Sequence, residues 1–126
     1  MRLVAILILA ATLATPAAAF RAQNGLIVDV EGPERFVVPF AGLAGPSDFW
    51  CAAGDYAYRK LGLPTKQLLY RASEPPRRSG EGVRFSTNPA DAASSTGLLV
   101  LGAKGGGLTI GMARAFCETS GEFEFD

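Results

Sequence analysis

The hydrophobic residues of this chain fall into short runs whose spacing indicates strands in most places and a helix in one. Residues 26–30 and 35–38 are rich in β-branched side chains and flank the turn sequence EGPE, so they predict a hairpin. Residues 67–71 and 82–86 predict two further strands, which a polar, proline-rich loop joins. At least four strands are therefore expected.

The helical pattern lies between these two pairs of strands, in residues 47–62. Ser47 is the predicted N-cap, Gly62 followed by a proline ends the helix, and Asp55 with Arg59 forms an i,i+4 pair. One side of this helix carries apolar residues at 3.6-residue spacing: Phe49, Trp50, Ala53, Ala57 and Leu61. We expect this face, with the only tryptophan of the chain, to be buried against the sheet.

The C-terminal third is harder to assign. Residues 97–101 read as a strand, and Asn88 is expected to cap one short helical turn that runs to residue 93. Residues 108–117 alternate as a strand would, yet Ile110, Ala113 and Phe116 also fit a helix. We favour a strand, because the glycine-rich residues 102–107 suit a hairpin loop between two apolar runs.

The N-terminal residues 1–19 have the features of a secretory signal peptide. A positive start at Arg2 precedes an apolar run, and Ala17 to Ala19 provide a small-residue cleavage site. The apolar run is too short to span a bilayer. Cleavage after Ala19 leaves 107 of the 126 residues, enough for one small domain over 20–126. We therefore predict a periplasmic or secreted bacterial protein.

These elements predict the α+β fold class, with a mostly antiparallel sheet of five to six strands, one main helix packed on one face, and a single disulfide. The chain has only two cysteines, Cys51 and Cys117, and an exported protein is expected to pair them. That bond would tie the first turn of the helix to the last strand.

The sequence WCAA around Cys51 raises a second possibility, a catalytic thiol near a helix N-terminus. Over these four residues it resembles cell-wall cysteine peptidases and amidases of the NlpC/P60 and CHAP groups. The resemblance implies a histidine that takes the proton from sulfur, and this chain contains no histidine. The lack of histidine excludes Cys–His and Ser–His–Asp catalysis and leaves no obvious metal site, and no cofactor is predicted.

Charge points to a binding role. The chain has 12 basic and 12 acidic residues, so it lacks the strongly basic surface that nucleic-acid binding requires. Basic residues nevertheless concentrate between positions 59 and 84, and the predicted binding residues are Arg71, Arg77, Arg78 and Arg84. The expected function is a non-enzymatic exported module that binds an anionic envelope polymer or another protein.

The alternative function is hydrolysis of cell-wall glycan by a pair of carboxylates. The candidates are Asp48, Asp55, Glu74 and Glu81. A cleft with two carboxylates about 5–10 Å apart would favour the enzyme, whereas a continuous arginine face without one would favour binding.

Overall fold

The computed structural model of this chain describes residues 19–100 and 102–119. The predicted signal peptide therefore lies, except for its last residue, outside the described residues. In chain order the elements are β1 (Phe20–Arg21), β2 (Ile27–Val30), β3 (Arg35–Val38), α1 (Pro46–Asp55), a π-helical turn (Tyr56–Lys60), β4 (Leu68–Arg71), β5 (Val83–Ser86), a 3₁₀ turn (Pro89–Asp91), β6 (Gly107–Thr109) and α2 (Ile110–Thr119).

The six strands form one sheet in the order β1-β2-β3-β5-β4-β6, and every neighbouring pair is antiparallel. Both predicted strand pairs are confirmed, and β3 joins them because it pairs with β5 over four residues. Successive side chains on a strand point to opposite faces, so Leu69, Val83 and Phe85 lie on a buried face and Arg84 lies on the exposed one. The α+β class and the six-stranded sheet agree with the sequence.

Helix α1 covers the buried face of the sheet through the predicted aromatic residues. Trp50 is buried and packs edge-to-face on Phe85 with 4.9 Å between ring centroids, while its Nε1 donates to the Thr96 carbonyl at 2.9 Å. Phe36 of the sheet contacts Tyr56 at 4.6 Å between centroids. Leu61, which was predicted to share this face, is instead exposed, because the helix widens before it.

The ends of α1 differ from the predicted ones. The N-cap is Gly45, not Ser47, because Pro46 begins the helix and the Asp48 carboxylate accepts the Gly45 N–H at 2.8 Å. After Asp55 the hydrogen bonds lengthen to the i→i+5 pattern, with the Leu61 N–H donating to the Tyr56 carbonyl at 3.1 Å. The helical segment then ends at Gly62, whose positive φ of 68° suits glycine.

The strand predicted over 108–117 is wrong beyond Thr109, since α2 begins at Ile110. Ile110 and Ala113 are buried, so the 3.6-residue pattern and not the alternating one describes this segment. The disulfide between Cys51 and Cys117 is confirmed, with 4.9 Å between Cα atoms, but it joins two helices and not a helix to a strand. Against α1, α2 packs closely: a Cβ placed on Gly54 would lie only 2.7 Å from the Ala113 Cβ.

The strand predicted over 97–101 is also wrong within its described part. Residues 97–100 form an irregular segment in which Leu98 and Val100 are partly buried and Leu99 is fully exposed; Leu101 lies outside the described residues. The predicted hairpin loop at 102–107 therefore leads from this segment into the short strand β6. The helical turn after Asn88 is present over Pro89–Asp91 and ends two residues before the predicted residue 93. It is capped as predicted by the Asn88 side chain, which accepts the Ala90 N–H at 2.9 Å.

Candidate functional site

The candidate site is a pocket of about 500 Å³ beside the start of α1, which lies in the usual size range of small-molecule sites. Of the described residues that line this pocket, two are charged, and both are arginines of the predicted set, Arg71 and Arg77. Its remaining walls are apolar or small: Ala44, Gly45, Pro46, Phe49, Pro75, Pro76, Val83, Ser95 and Gly97. We call it the arginine pocket.

Arg71 is buried because of its register in β4. It points to the same face as Leu69, two residues earlier, and only 3% of it is exposed. Its Nε donates to the Ser73 carbonyl at 2.8 Å, and Nη1 makes a long contact of 3.5 Å with the Thr96 carbonyl. The Nη2 atom is buried and has no hydrogen-bond partner among the described residues. A guanidinium nitrogen thus remains free to donate to a bound group.

In the part of the chain that the structure describes, Arg71 also forms no ion pair. Burial lowers the pKa of its guanidinium from the ordinary value, Glu74 acts in the opposite direction, and the like charge of Arg77 adds to the lowering. The Glu74 carboxylate accepts hydrogen bonds from the Ser94 N–H at 2.9 Å and the Ser94 hydroxyl at 2.5 Å. Since arginine stays protonated in proteins, the pocket holds a buried cation without a carboxylate partner within residues 19–100 and 102–119.

Arg77 lies at the pocket on a framework of aromatic rings and backbone. Its guanidinium carbon is 5.1 Å from the centre of the Phe49 ring and 5.5 Å from that of Phe40. Its Nη1 donates to the Glu81 carbonyl at 2.8 Å. These contacts hold the side chain half-buried at the pocket.

Glycine at position 97 makes room for Arg71. Gly97 has φ of 75°, and a Cβ placed on it would overlap Arg71 Nη1.

The start of α1 contributes little further positive charge to the pocket, because its amides are already bonded. The Asp48 carboxylate accepts the Gly45 N–H, and the amides of Asp48 and Phe49 donate to the Gly45 carbonyl. The two arginines therefore account for the positive character of the pocket.

The other two predicted arginines lie elsewhere. Arg84 points to the opposite, exposed face of the sheet, where its Nε contacts a Glu31 carboxylate oxygen at 3.1 Å. Arg78 is exposed on the loop between β4 and β5 and does not line the arginine pocket. The structure brings together Arg71 and Arg77 and separates them from Arg78 and Arg84, so the four form no continuous face.

Three of the four candidate catalytic carboxylates have a hydrogen-bond partner nearby in the structure. Asp55 is fully buried: burial raises the pKa of its carboxyl, but hydrogen bonds from Arg59 and the Gln23 N–H outweigh that effect and lower it overall. The two hydrogen bonds from Ser94 lower the pKa of Glu74. A glycosidase acid needs a raised pKa, so neither group has the required property. Asp48 is bound to the α1 N-cap, and Glu81 is exposed on the loop.

A second pocket of about 320 Å³ lies beside the edge strand β6. Its lining is mainly apolar, with Lys104 as the one charged side chain among the described residues.

Within residues 19–100 and 102–119, no group of three or more His, Cys, Asp or Glu side chains lies close enough together to hold a metal ion. In the same ranges no helix has the length and apolar character to cross a bilayer.

Several residues of the arginine pocket were not predicted from the sequence. Gly97 was assigned to a strand, and Phe49 was predicted only as core, although it both packs in the core and lines the pocket. The alternation of side chains along a strand could have placed Arg71 on the same face as Leu69, but Leu68 and Tyr70 are also apolar and leave the choice of face open.

Comparison with protein-family models, curated proteins and solved structures finds no match for this chain.

Proposed function

We propose that the protein is an exported, non-enzymatic module that binds an anionic group of an envelope component in the arginine pocket. The observation that carries this proposal is that Arg71 lines the pocket while its buried Nη2 has no hydrogen-bond partner among the described residues. A buried charge without a counter-ion costs several kcal/mol, on the order of 3. A bound carboxylate or phosphate would offset that cost and form a charge-assisted hydrogen bond.

Export is the second part of the proposal, and two features support it. The disulfide between α1 and α2 fits an oxidising compartment. Strand β1 begins at Phe20, so cleavage after Ala19 would keep every described strand and helix. Phe20 also packs on Tyr56 with 5.5 Å between ring centroids, which ties the new N-terminus to the core.

Binding of defined polyanions tests the proposal. The protein, expressed with its own N-terminal segment and purified after export, is titrated calorimetrically with poly-L-glutamate and with polyphosphate. We expect binding that Arg77→Ala weakens, because Arg77 faces the pocket. Since contacts inside a pocket are screened less than exposed ones, we also expect part of the binding to persist at physiological salt.

Arg78→Ala is the matched control, because it removes an arginine from the same loop that does not line the pocket. Its binding should equal that of the wild-type protein. An equal loss in Arg77→Ala and Arg78→Ala would point to general surface charge and would contradict a pocket. The absence of binding to both polyanions in the wild-type protein would refute the proposal.

Glycan hydrolysis, the alternative, gains no support from the carboxylates within the described residues. Asp55 is buried in an ion pair, and the pKa of Glu74 is lowered by Ser94. We therefore carry forward a single function.

A further inference from the structure

The walls of the arginine pocket carry information about its ligand beyond the sign of the charge. Next to the two guanidinium groups lie the ring of Phe49, the side chain of Val83 and the Pro75–Pro76 pair, whose peptide bond is cis. Among the described residues of the lining, Ser95 has the one other side chain with a polar group. A ligand that fills this space must place apolar atoms close to its anionic group.

Arg71 itself has few free donors. It presents Nη2 and the weakly held Nη1, which together form one edge of a planar guanidinium. Such an edge matches the two oxygens of a single carboxylate. A phosphate ester would bring further charged or polar oxygens into the pocket. Apart from Arg77 and Ser95, the described residues of the lining are apolar or small, so oxygens that face them would stay unpaired at a cost.

From this arrangement we infer that the arginine pocket selects a carboxylate borne on a small aliphatic group. The inference rests on the proposed anion-binding function and narrows it to one chemical class. Two sources supply this chemistry: a free aliphatic acid, or the C-terminal carboxylate of a peptide that ends in a small apolar residue. The carboxylate contacts Arg71, and the aliphatic part lies against Phe49 and Val83.

We expect the fluorescence of Trp50 to respond to carboxylate binding, because Trp50 and Arg71 share a hydrogen-bond acceptor. Its Nε1 and Arg71 Nη1 both donate to the Thr96 carbonyl, at 2.9 and 3.5 Å. A carboxylate that draws Nη1 away from this oxygen changes the polarity around the indole. Because Trp50 is the only tryptophan, its emission isolates the change.

The test is a fluorescence titration with four probes, repeated by calorimetry: hexanoate, its neutral analogue hexanamide, acetyl-Ala-Ala with a free C-terminus, and inorganic phosphate. We expect at least one of the two carboxylates to bind, at least about tenfold more tightly than hexanamide or phosphate, since a hydrogen bond between charged groups is worth more than one factor of ten. Which of the two binds identifies the source. Arg71→Met should abolish the preference, and Arg71→Lys should restore only part of it, because lysine keeps the charge without the fork.

Each other outcome has a separate meaning. Binding of phosphate without either carboxylate would overturn this inference and leave the proposed anion-binding function standing. Equal binding of hexanoate and hexanamide would show an apolar pocket indifferent to charge and would overturn the inference. Silence of all four probes overturns it as well, while the polyanion titrations still decide the broader proposal. Arg78→Met, a change of the same kind outside the pocket, should leave every affinity unchanged.

Discussion

Replacing Arg71 by methionine should stabilise the unliganded protein, although it removes a hydrogen-bonded residue from the core. Methionine has a similar length and no charge, so the buried, unpaired guanidinium disappears without leaving a large cavity. Replacement of buried ionic groups by apolar residues is often neutral or stabilising. A residue kept for binding and not for stability is expected to behave in this way.

The size of the effect follows from the contacts of this one side chain. Removal of an uncompensated buried charge gains on the order of 3 kcal/mol. The variant loses the 2.8 Å bond to the Ser73 carbonyl and the long contact with Thr96, together about 2 kcal/mol. The Thr96 carbonyl keeps its bond from Trp50. We therefore expect the free energy of unfolding to rise by about 1 kcal/mol, or about 4–8 °C in Tm for a domain of this size.

Urea and thermal unfolding of the disulfide-bonded protein, without added anions, measure this difference. Arg78→Met is the control and should stay within about 0.5 kcal/mol of the wild-type protein, as exposed positions do. A loss of about 2 kcal/mol or more in Arg71→Met would mean that the guanidinium has a structural partner and is not an unpaired buried charge.

Four further predictions concern the rest of the fold. Cys51→Ser and Cys117→Ser should each cost up to about 4 kcal/mol in urea unfolding, and the double variant little more, since each single change already opens a loop with a sequence separation of 66; additive losses would contradict the bond. Gly54→Ala should cost about 1–2 kcal/mol by the same assay despite its better helix propensity, because the new methyl group meets the facing helix; a stabilised variant would disprove that close approach. Asp55→Asn should lower the free energy of unfolding by about 2–3 kcal/mol at pH 7. The pKa of Asp55 is lowered in the folded state, so the stabilisation by its charge is present above the unfolded pKa of about 3.9 and is lost as pH falls through the folded pKa. A difference between variant and wild-type protein that does not shrink in acid would count against the ion pair. Emission of the unliganded protein should be blue-shifted and resist iodide quenching, whereas a water-like spectrum would place Trp50 at the surface.

The sequence predicted those elements whose pattern allowed one interpretation. The β2–β3 hairpin has β-branched runs on both sides of a turn, and α1 has an apolar stripe that fits only a helical period. Residues 108–117 fit both periods, and the choice depended on reading the glycine-rich segment as a hairpin loop. Two of those glycines are needed for close packing and not for a hairpin turn. A Cβ on Gly106 would lie 2.8 Å from the Ala93 carbonyl, and one on Gly107 would lie 3.0 Å from the Tyr70 ring.

The candidate site was predicted only in part for a similar reason. Charge identified the arginines, but which of them meet depends on strand register and on tertiary contacts. Arg71 and Arg84 lie on neighbouring strands yet point to opposite faces, and Arg77 is drawn to the pocket by Phe49, which is distant in sequence. Glu74, the acidic residue nearest to Arg71 in the sequence, accepts its hydrogen bonds from Ser94, a long-range contact that no local pattern encodes.

The decisive measurement is a crystal structure of the protein with the carboxylate that binds in the titrations, hexanoate or acetyl-Ala-Ala, because the proposed contact involves one atom. We expect a carboxylate oxygen about 2.7–2.9 Å from Arg71 Nη2, with the aliphatic part of the ligand against Phe49 and Val83. A pocket that stays empty with both carboxylates at saturating concentration, or a carboxylate bound elsewhere with no anion at Arg71 Nη2, would show that the pocket is not a carboxylate site.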